Sequence, residues 1–188
     1  KAGTITPVVC CSAFTLAGVD MVLDMICELM PSPKEADDEI CMDSDGNPVE
    51  LICADDQPLA AFVFKTIADP FVGKMSYVKV LSGKLTADQI PVNTTTGQPE
   101  RLGKIIFVKG KKQEDTPQIG AGDIGAVTKL AGTNTGDMLC DPSRPLKCEP
   151  MEFPAPCLSI AFKPKAKGDE GKIAQALQRL MEEDRTIA

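Results

Sequence analysis

Short runs of alternating hydrophobic and polar residues fill the middle of the chain. From Met75 to Leu81, odd-numbered positions share one face and even-numbered positions the other, as in a β-strand. Gly and Pro residues separate this run from others like it. The pattern predicts strands near 59–68, 75–81, 89–94, 101–109, 114–118, 124–130 and 137–140. Strands of this length, about 8–12 residues apart, predict a mainly β fold, either a closed antiparallel β-barrel or a sandwich.

Both ends of the chain follow a different pattern. Residues 6–11 form an apolar run that predicts a strand, and a helix is predicted from Asp20 to about Met30. Near the other end, residues 157–163 alternate as a strand, and Gly168-Asp169 precedes a predicted helix that runs to about Asp184. One strand and one helix cannot bury both of their apolar faces. We therefore expect a complete β domain between two truncated neighbours.

The charge of the chain is concentrated in one segment. The formal net charge is −7, but residues 35–56 hold nine acidic and no basic residues. Residues 57–188 hold 18 basic and 15 acidic residues. The segment's Asp43-Ser44-Asp45-Gly46 resembles a calcium loop, but Cys41 and Ile52 would take positions that need oxygen ligands. The segment is therefore interpreted as a hairpin or a solvated linker.

The composition excludes several kinds of site. The chain has no His, the commonest general base and metal ligand. Its eight Cys residues show no C-x-x-C spacing, so we favour buried, reduced thiols over disulfides or a metal site. Reduced thiols indicate a cytoplasmic protein. No apolar run approaches the ~20 residues that cross a bilayer, so no membrane partner is expected.

Three stretches of sequence carry a resemblance to a known family. They are FVFKTIADPFVGK, the following MSYVKVLSGKL, and IGAGDIGAVTKLAGTNTGDMLCD. Together they closely resemble the second domain of elongation factor G, a ribosome-dependent translational GTPase. The closing segment, from Phe153 to Ile187, resembles the opening of the third domain. The resemblance extends from Thr6 to Ile187.

The resemblance implies a domain organisation. Residues 1–33 would be the C-terminal end of the GTPase domain, 34–57 an acidic linker, 58–149 a closed β-barrel of the translation-factor type, and 150–188 the start of a ferredoxin-like third domain. The full-length parent would bind GTP and Mg. This chain has no G-x-x-x-x-G-K-[ST] loop to hold phosphates, so we expect neither cofactor binding nor catalysis here.

One nucleotide-binding element of the family has a counterpart near the start of the chain. Ser12, Ala13 and Phe14 follow an apolar run and precede a helix, like the family turn that closes the guanine pocket. In that turn a backbone N–H meets the guanine carbonyl oxygen, and the serine orders the turn. Without the rest of its domain, this turn is not expected to bind nucleotide measurably.

The resemblance also implies contact with the rRNA of the small ribosomal subunit. The loop from Thr94 to Arg101 corresponds to a family loop, with Thr96, Gln98 and Arg101 as candidate contacts. Gln98 and Pro99 replace cations that are usual there, which predicts a weaker contact. The strongest basic cluster consists of Lys109, Lys111 and Lys112, which is either a second contact or a solvated hairpin tip.

Two further segments are candidates for contacts between domains. Phe71 lies at a predicted turn. It packs either on the missing GTPase domain of the same protein or against the core of its own barrel. Glu182-Glu183-Asp184 matches a family segment near the nucleotide, but Arg185 and Ile187 replace a Pro and a Phe.

The sequence thus predicts a fragment that docks on the ribosome and couples domains of a translocation-promoting GTPase. A ribosome-protection or release-type relative, or a free-standing protein-interaction barrel, remains the alternative.

Overall fold

The computed structural model describes residues 3–36, 39–69, 72–164 and 168–187. The chain divides into two compact units, Lys1–Asp37 and Asp38–Ala188. The described residues are mainly β, as predicted, with one helix in each unit.

Unit one is built around the helix α1, Val19–Leu29, which matches the prediction. It begins after Gly18, whose φ of 74° lies in the left-handed region that favours glycine. The strand predicted at residues 6–11 is wrong, because none of the described residues in this segment belongs to a strand. A strand needs a partner for its backbone hydrogen bonds, and none of the described segments supplies one.

Unit two contains twelve strands and the helix α2 among its described residues. The strands are β1 (Glu39–Met42), β2 (Pro48–Leu51), β3 (Ala60–Asp69), β4 (Gly73–Ser82), β5 (Leu85–Thr86), β6 (Val92–Asn93), β7 (Gln98–Pro99), β8 (Ile105–Lys109), β9 (Lys112–Asp115), β10 (Gln118–Ile119), β11 (Ile124–Thr128) and β12 (Met138–Cys140), followed by α2 (Glu170–Glu183). The seven predicted strands between residues 59 and 140 are all found. β3 has its predicted length, β4 is longer than predicted, and the others are shorter or divided. The sequence pattern missed β5 and β7.

Eight strands form one antiparallel sheet in the order β7-β6-β12-β3-β4-β11-β8-β9. The long hairpin β3–β4 lies at its centre, with Val63 opposite Val78. A separate ribbon pairs β5 with β10. The terminal strands β7 and β9 do not pair with each other in the described part of the chain. The large antiparallel sheet is therefore confirmed, while its closure into a barrel stays a prediction.

The main core is aliphatic, as expected for a chain whose residues are only 4% aromatic. Its fully buried side chains come from the sheet and the ribbon alike, and include Val63, Val78, Leu85, Ile119 and Val127. Burying a Val or Leu side chain contributes about 1.5–3 kcal/mol each. A Cβ on Gly125 would collide with Ile119, so glycine at that position lets β10 pack directly on β11.

The acidic segment forms the hairpin β1–β2, one of the two alternatives left open by the sequence. It is attached to the unit by the buried side chains of Cys41 and Leu51, which pack with Leu146. Backbone hydrogen bonds between Met42 and Lys147 add to this attachment. Although its surface is acidic, the hairpin is therefore part of the second unit's packing.

The preference for buried, reduced thiols is wrong for most of the cysteines. Cys41 and Cys148 form a disulfide, with their Cα atoms 4.4 Å apart. The exposed cysteines are Cys10, Cys11, Cys27 and Cys157. Cys140 alone fits the expectation: burial raises the pKa of its thiol to about 11. No cluster of metal-ligating side chains is found in the described residues.

The closing segment differs from its prediction in one element. Residues 151–164 form no strand, and Leu158, Ile160 and Phe162 are exposed. The alternation at 157–163 does place apolar side chains at every second position. No described strand pairs with this segment, so the predicted strand is not formed. The helix α2 follows Asp169 as predicted.

Candidate nucleic-acid interface

The loop predicted to contact rRNA is the tip of the β6–β7 hairpin. Asn93, at the end of β6, accepts hydrogen bonds on Oδ1 from the backbone N–H of Thr95 (2.9 Å) and of Thr96 (3.1 Å). Its backbone oxygen accepts from the N–H of Gly97 at 2.8 Å. Gly97 has a φ of 70°, which a glycine adopts without strain. One asparagine therefore fixes the whole turn.

The same asparagine is part of a buried polar network. Its Nδ2 donates to Thr133 Oγ1 at 3.1 Å and to Asp137 Oδ2 at 2.9 Å. Asp137 Oδ2 also accepts from the N–H of Asn134 at 2.8 Å. Asn93 and Thr133 are fully buried. The network thus fastens the β6–β7 turn to the loop that precedes β12.

A second buried carboxylate completes this network. Glu100 is 6% exposed, and it accepts from the N–H of Ala131 at 2.7 Å and from Thr133 Oγ1 at 2.8 Å. The N–H of Gly132 donates to it at 3.1 Å. Hydrogen bonds to a charged acceptor are stronger than neutral ones, and they replace the water lost on burial. Both loops are therefore held rigidly without a cation.

The candidate contacts themselves lie on the outside of this scaffold. Thr96, Gln98 and Arg101 are exposed, in the turn, in β7 and just after β7 respectively. Arg101 forms no ion pair within the described residues. The three side chains lie within six residues of one another on the β6–β7 hairpin and the residues that follow it. Their hydroxyl, amide and guanidinium groups are therefore available to phosphate or ribose.

The lysine cluster lies on a different hairpin, β8–β9. Lys109 and Lys112 are paired across the strands, and both contact Glu114, at 3.2 Å and 2.7 Å. The hydrogen bonds from these two lysines lower the pKa of Glu114. Lys111, in the turn, forms no ion pair within the described part of the chain. The cluster is therefore partly neutralised by its own strand.

The strands that carry the two candidate surfaces are not paired with each other in the described sheet. β7 and β9 occupy opposite ends of the eight-stranded order. Thr96, Gln98 and Arg101 thus form one surface, and Lys109, Lys111 and Lys112 form another.

The predicted guanine turn belongs to unit one. Ser12 Oγ accepts from the N–H of Thr15 at 3.2 Å, and the Ser12 N–H donates to the oxygen of Ala17 at 2.9 Å. Ala13 and Phe14 are exposed. Ser12 therefore holds this turn through one side-chain and one backbone hydrogen bond. A role toward guanine stays a prediction, as does the expectation that this segment binds neither GTP nor Mg.

The predicted interdomain residue Phe71 lies outside the described residues. Of the described residues beside it, Val72 donates its backbone N–H to Asp69 Oδ1 at 2.8 Å. Close by, the N–H of Ala68 in β3 donates to the Glu183 carboxylate at the end of α2. The sequence pattern marked Glu183 as a family residue but did not indicate this contact.

Sequence reasoning also missed Asn93 and Glu100, and it missed the hydrogen bond between Asn93 and Asp137. A polar residue that alternates into a strand's buried face is an available signal, and Asn93 directly before a Thr-Thr-Thr-Gly turn was another. Neither signal specifies the partner, since the partners lie 31–44 residues away.

Two family models match consecutive parts of the chain. Elongation factor G domain 2 matches residues 58–142, and Elongation Factor G, domain III matches residues 153–188. The chain belongs to the elongation factor G family. It contains domain 2 and the beginning of domain III of such a factor.

A solved structure has a similar fold over most of the chain. The chain is similar to a crystal structure of a protein from Thermus thermophilus, with 29% sequence identity and a TM-score of 0.67. The match covers 90% of this chain and 23% of that one. The chain therefore spans less than a quarter of the matched protein. Among the described residues of this chain, no helix combines the length and the apolar character needed to span a bilayer.

Proposed function

We propose that this chain is part of an elongation-factor-G-like GTPase that promotes ribosomal translocation, and that this segment docks on small-subunit rRNA and couples neighbouring domains. The observation that carries the docking role is the β6–β7 turn. Its exposed polar side chains stand on a backbone that Asn93 already holds in one conformation. Binding an ordered loop costs less conformational entropy than binding a flexible one.

The coupling role is supported by the contact between Glu183 and Ala68. Glu183 lies in the part matched by domain III, and Ala68 in the part matched by domain 2. A charged acceptor on one domain thus holds a backbone N–H of the other, next to the turn that precedes β4. Movement of one domain would be transmitted to the other through this contact.

Nucleotide binding and GTP hydrolysis would be carried out by the rest of the full-length protein. GTP and Mg would be bound by the rest of the GTPase domain, to which residues 12–14 would contribute the turn beside guanine. The segment itself would bind the ribosome and would not take part in catalysis. It would act in the cytoplasm, where translation takes place. The continuation into domain III disfavours a free-standing barrel module.

Pelleting with small ribosomal subunits tests the docking role. The chain should sediment with the subunits, and the bound fraction should fall steeply as salt rises, because phosphate contacts release counterions. Arg101→Gln should weaken binding severalfold. Arg179→Gln, which removes the same charge from an exposed position on α2, is the control. Equal binding of the two variants would contradict docking through the β6–β7 turn.

A further inference from the structure

A pocket of about 400 Å³ lies beside the β6–β7 turn. One wall consists of Thr94, Thr95 and the segment 135–138. The pocket is also lined by the chain after β12, including Lys147, and by Arg185 beyond α2. The volume falls within the usual range of small-ligand sites. All of these residues belong to the second unit.

The available charge in this pocket is positive. Lys147 and Arg185 line it, and neither forms an ion pair within the described residues. The acid among the described lining residues is Asp137, which is 8% exposed and already accepts hydrogen bonds from Asn93 and Asn134. An anionic group would therefore meet two available cations and no competing free carboxylate.

The apolar part of the pocket fits an aromatic base. Phe153 and Met151 are each 40% exposed, although both are large hydrophobic residues. An aromatic ring close to cations is the combination that binds unpaired nucleotides, since the ring stacks on the base while the cations hold phosphate.

One atom in the wall lacks a partner. Thr94 Oγ1 is buried and forms no hydrogen bond in the described part of the chain. Such atoms are few in native structures. A ligand hydroxyl or base edge would supply the missing partner only if Thr94 rotated its hydroxyl into the pocket, because the atom has almost no accessible surface. The wall around it is fixed by the Asn93 network, so this side of the pocket is formed before any ligand arrives.

We propose that this pocket binds one nucleotide of unpaired RNA, with phosphate on Lys147 and Arg185 and the base against Phe153. The inference rests on the proposed rRNA docking and adds a specific subsite to it. The shared chemistry is that of a nucleoside monophosphate, whether it is part of an RNA strand or free in solution.

The test measures binding of a fluorescein-labelled single-stranded RNA 10-mer to the whole chain by anisotropy, across a salt series. Lys147→Gln/Arg185→Gln should weaken binding about tenfold, and the salt slope should become shallower by about 0.7 for each phosphate released. Lys34→Gln/Arg179→Gln removes the same charge from exposed positions outside the pocket, and should bind like the wild type. Circular dichroism of each variant checks that the fold is kept.

A third variant separates stacking from charge. Phe153→Leu keeps an apolar side chain but removes the ring, so affinity should fall about tenfold with an unchanged salt slope. Adenosine monophosphate as a competitor distinguishes the two sources. If adenosine monophosphate displaces the RNA from the wild type, a free nucleotide enters the pocket. If the RNA stays bound in the presence of adenosine monophosphate, the pocket is assigned to RNA strands.

The outcomes also separate the two proposals. If the pocket variants bind RNA like their control while Arg101→Gln still weakens subunit binding, the pocket inference is overturned and docking stands. If the wild type binds neither RNA nor subunits, both are overturned.

Discussion

The two candidate RNA-binding hairpins are held in opposite ways. The β6–β7 turn stands on a buried network in which Asn93, Glu100 and Asp137 are satisfied by hydrogen bonds from neighbouring loops. The β8–β9 tip is held by exposed ion pairs around Glu114, whose lysine partners are mostly solvated. Exposed pairs contribute little, whereas a buried polar network fails if one member is removed.

The number of cations in a sequence segment therefore does not show how many of them are unpaired in the structure. Lys109, Lys111 and Lys112 form the most basic cluster in the chain, yet Glu114 neutralises part of it. The β6–β7 turn carries fewer cations, but its conformation is fixed by Asn93. Substitutions in either hairpin should show whether this contrast in rigidity is real.

Asn93→Ala should destabilise the chain by about 2–4 kcal/mol, because buried Asp137 and Thr133 each lose a hydrogen-bond donor and the N–H groups of Thr95 and Thr96 lose their acceptor. Urea unfolding followed by circular dichroism measures this change. Asn134→Ala is the control, since its backbone bond to Asp137 survives, and it should cost less than about 1 kcal/mol. Equal effects of the two substitutions would show that the network does not hold the turn.

Glu100→Gln should cost about 1.5–3 kcal/mol in the same experiment. The two N–H donors of residues 131 and 132 bond to different carboxylate oxygens, so the amide keeps an acceptor for one and turns an NH₂ group toward the other. Glu50→Gln removes the same charge from an exposed position on β2, and its effect should stay within about 0.5 kcal/mol. A neutral result for Glu100→Gln would mean that the carboxylate is not needed to order the loop.

Periodicity predicted most of the strands from β3 to β12 because their alternation is local and one face is buried. It also predicted α1 and α2 from their apolar stripes. It was wrong about strands at 6–11 and 157–163, where apolar runs occur without a paired neighbour. The family resemblance located the β6–β7 loop, but the network behind it depends on contacts between distant residues. The Cys41–Cys148 disulfide, 107 residues apart, was hidden for the same reason.

Glu114→Gln should strengthen RNA binding by about two- to fivefold. The substitution frees Lys109 and Lys112 from their ion pairs, so both become available to phosphate. Anisotropy with single-stranded RNA at low salt measures the change, and Glu50→Gln again controls for the loss of one negative charge. If the two variants bind alike, the ion pairs do not restrain the cluster.

A still smaller effect concerns the protonation of Glu114 itself. Hydrogen bonds from Lys112 and Lys109 lower its pKa in the folded chain. A carboxyl group with a depressed folded pKa stabilises the fold above its unfolded pKa, and that contribution disappears as pH falls through the folded value. A side-chain NMR titration should therefore place the midpoint of Glu114 below the ordinary glutamate range, and Lys109→Gln/Lys112→Gln should return it to that range.

Since Glu114 is exposed, the same double substitution should leave the thermal midpoint of the chain nearly unchanged. A large thermal shift would instead place the β8–β9 tip in the same category as the Asn93 network and remove the contrast between the two hairpins.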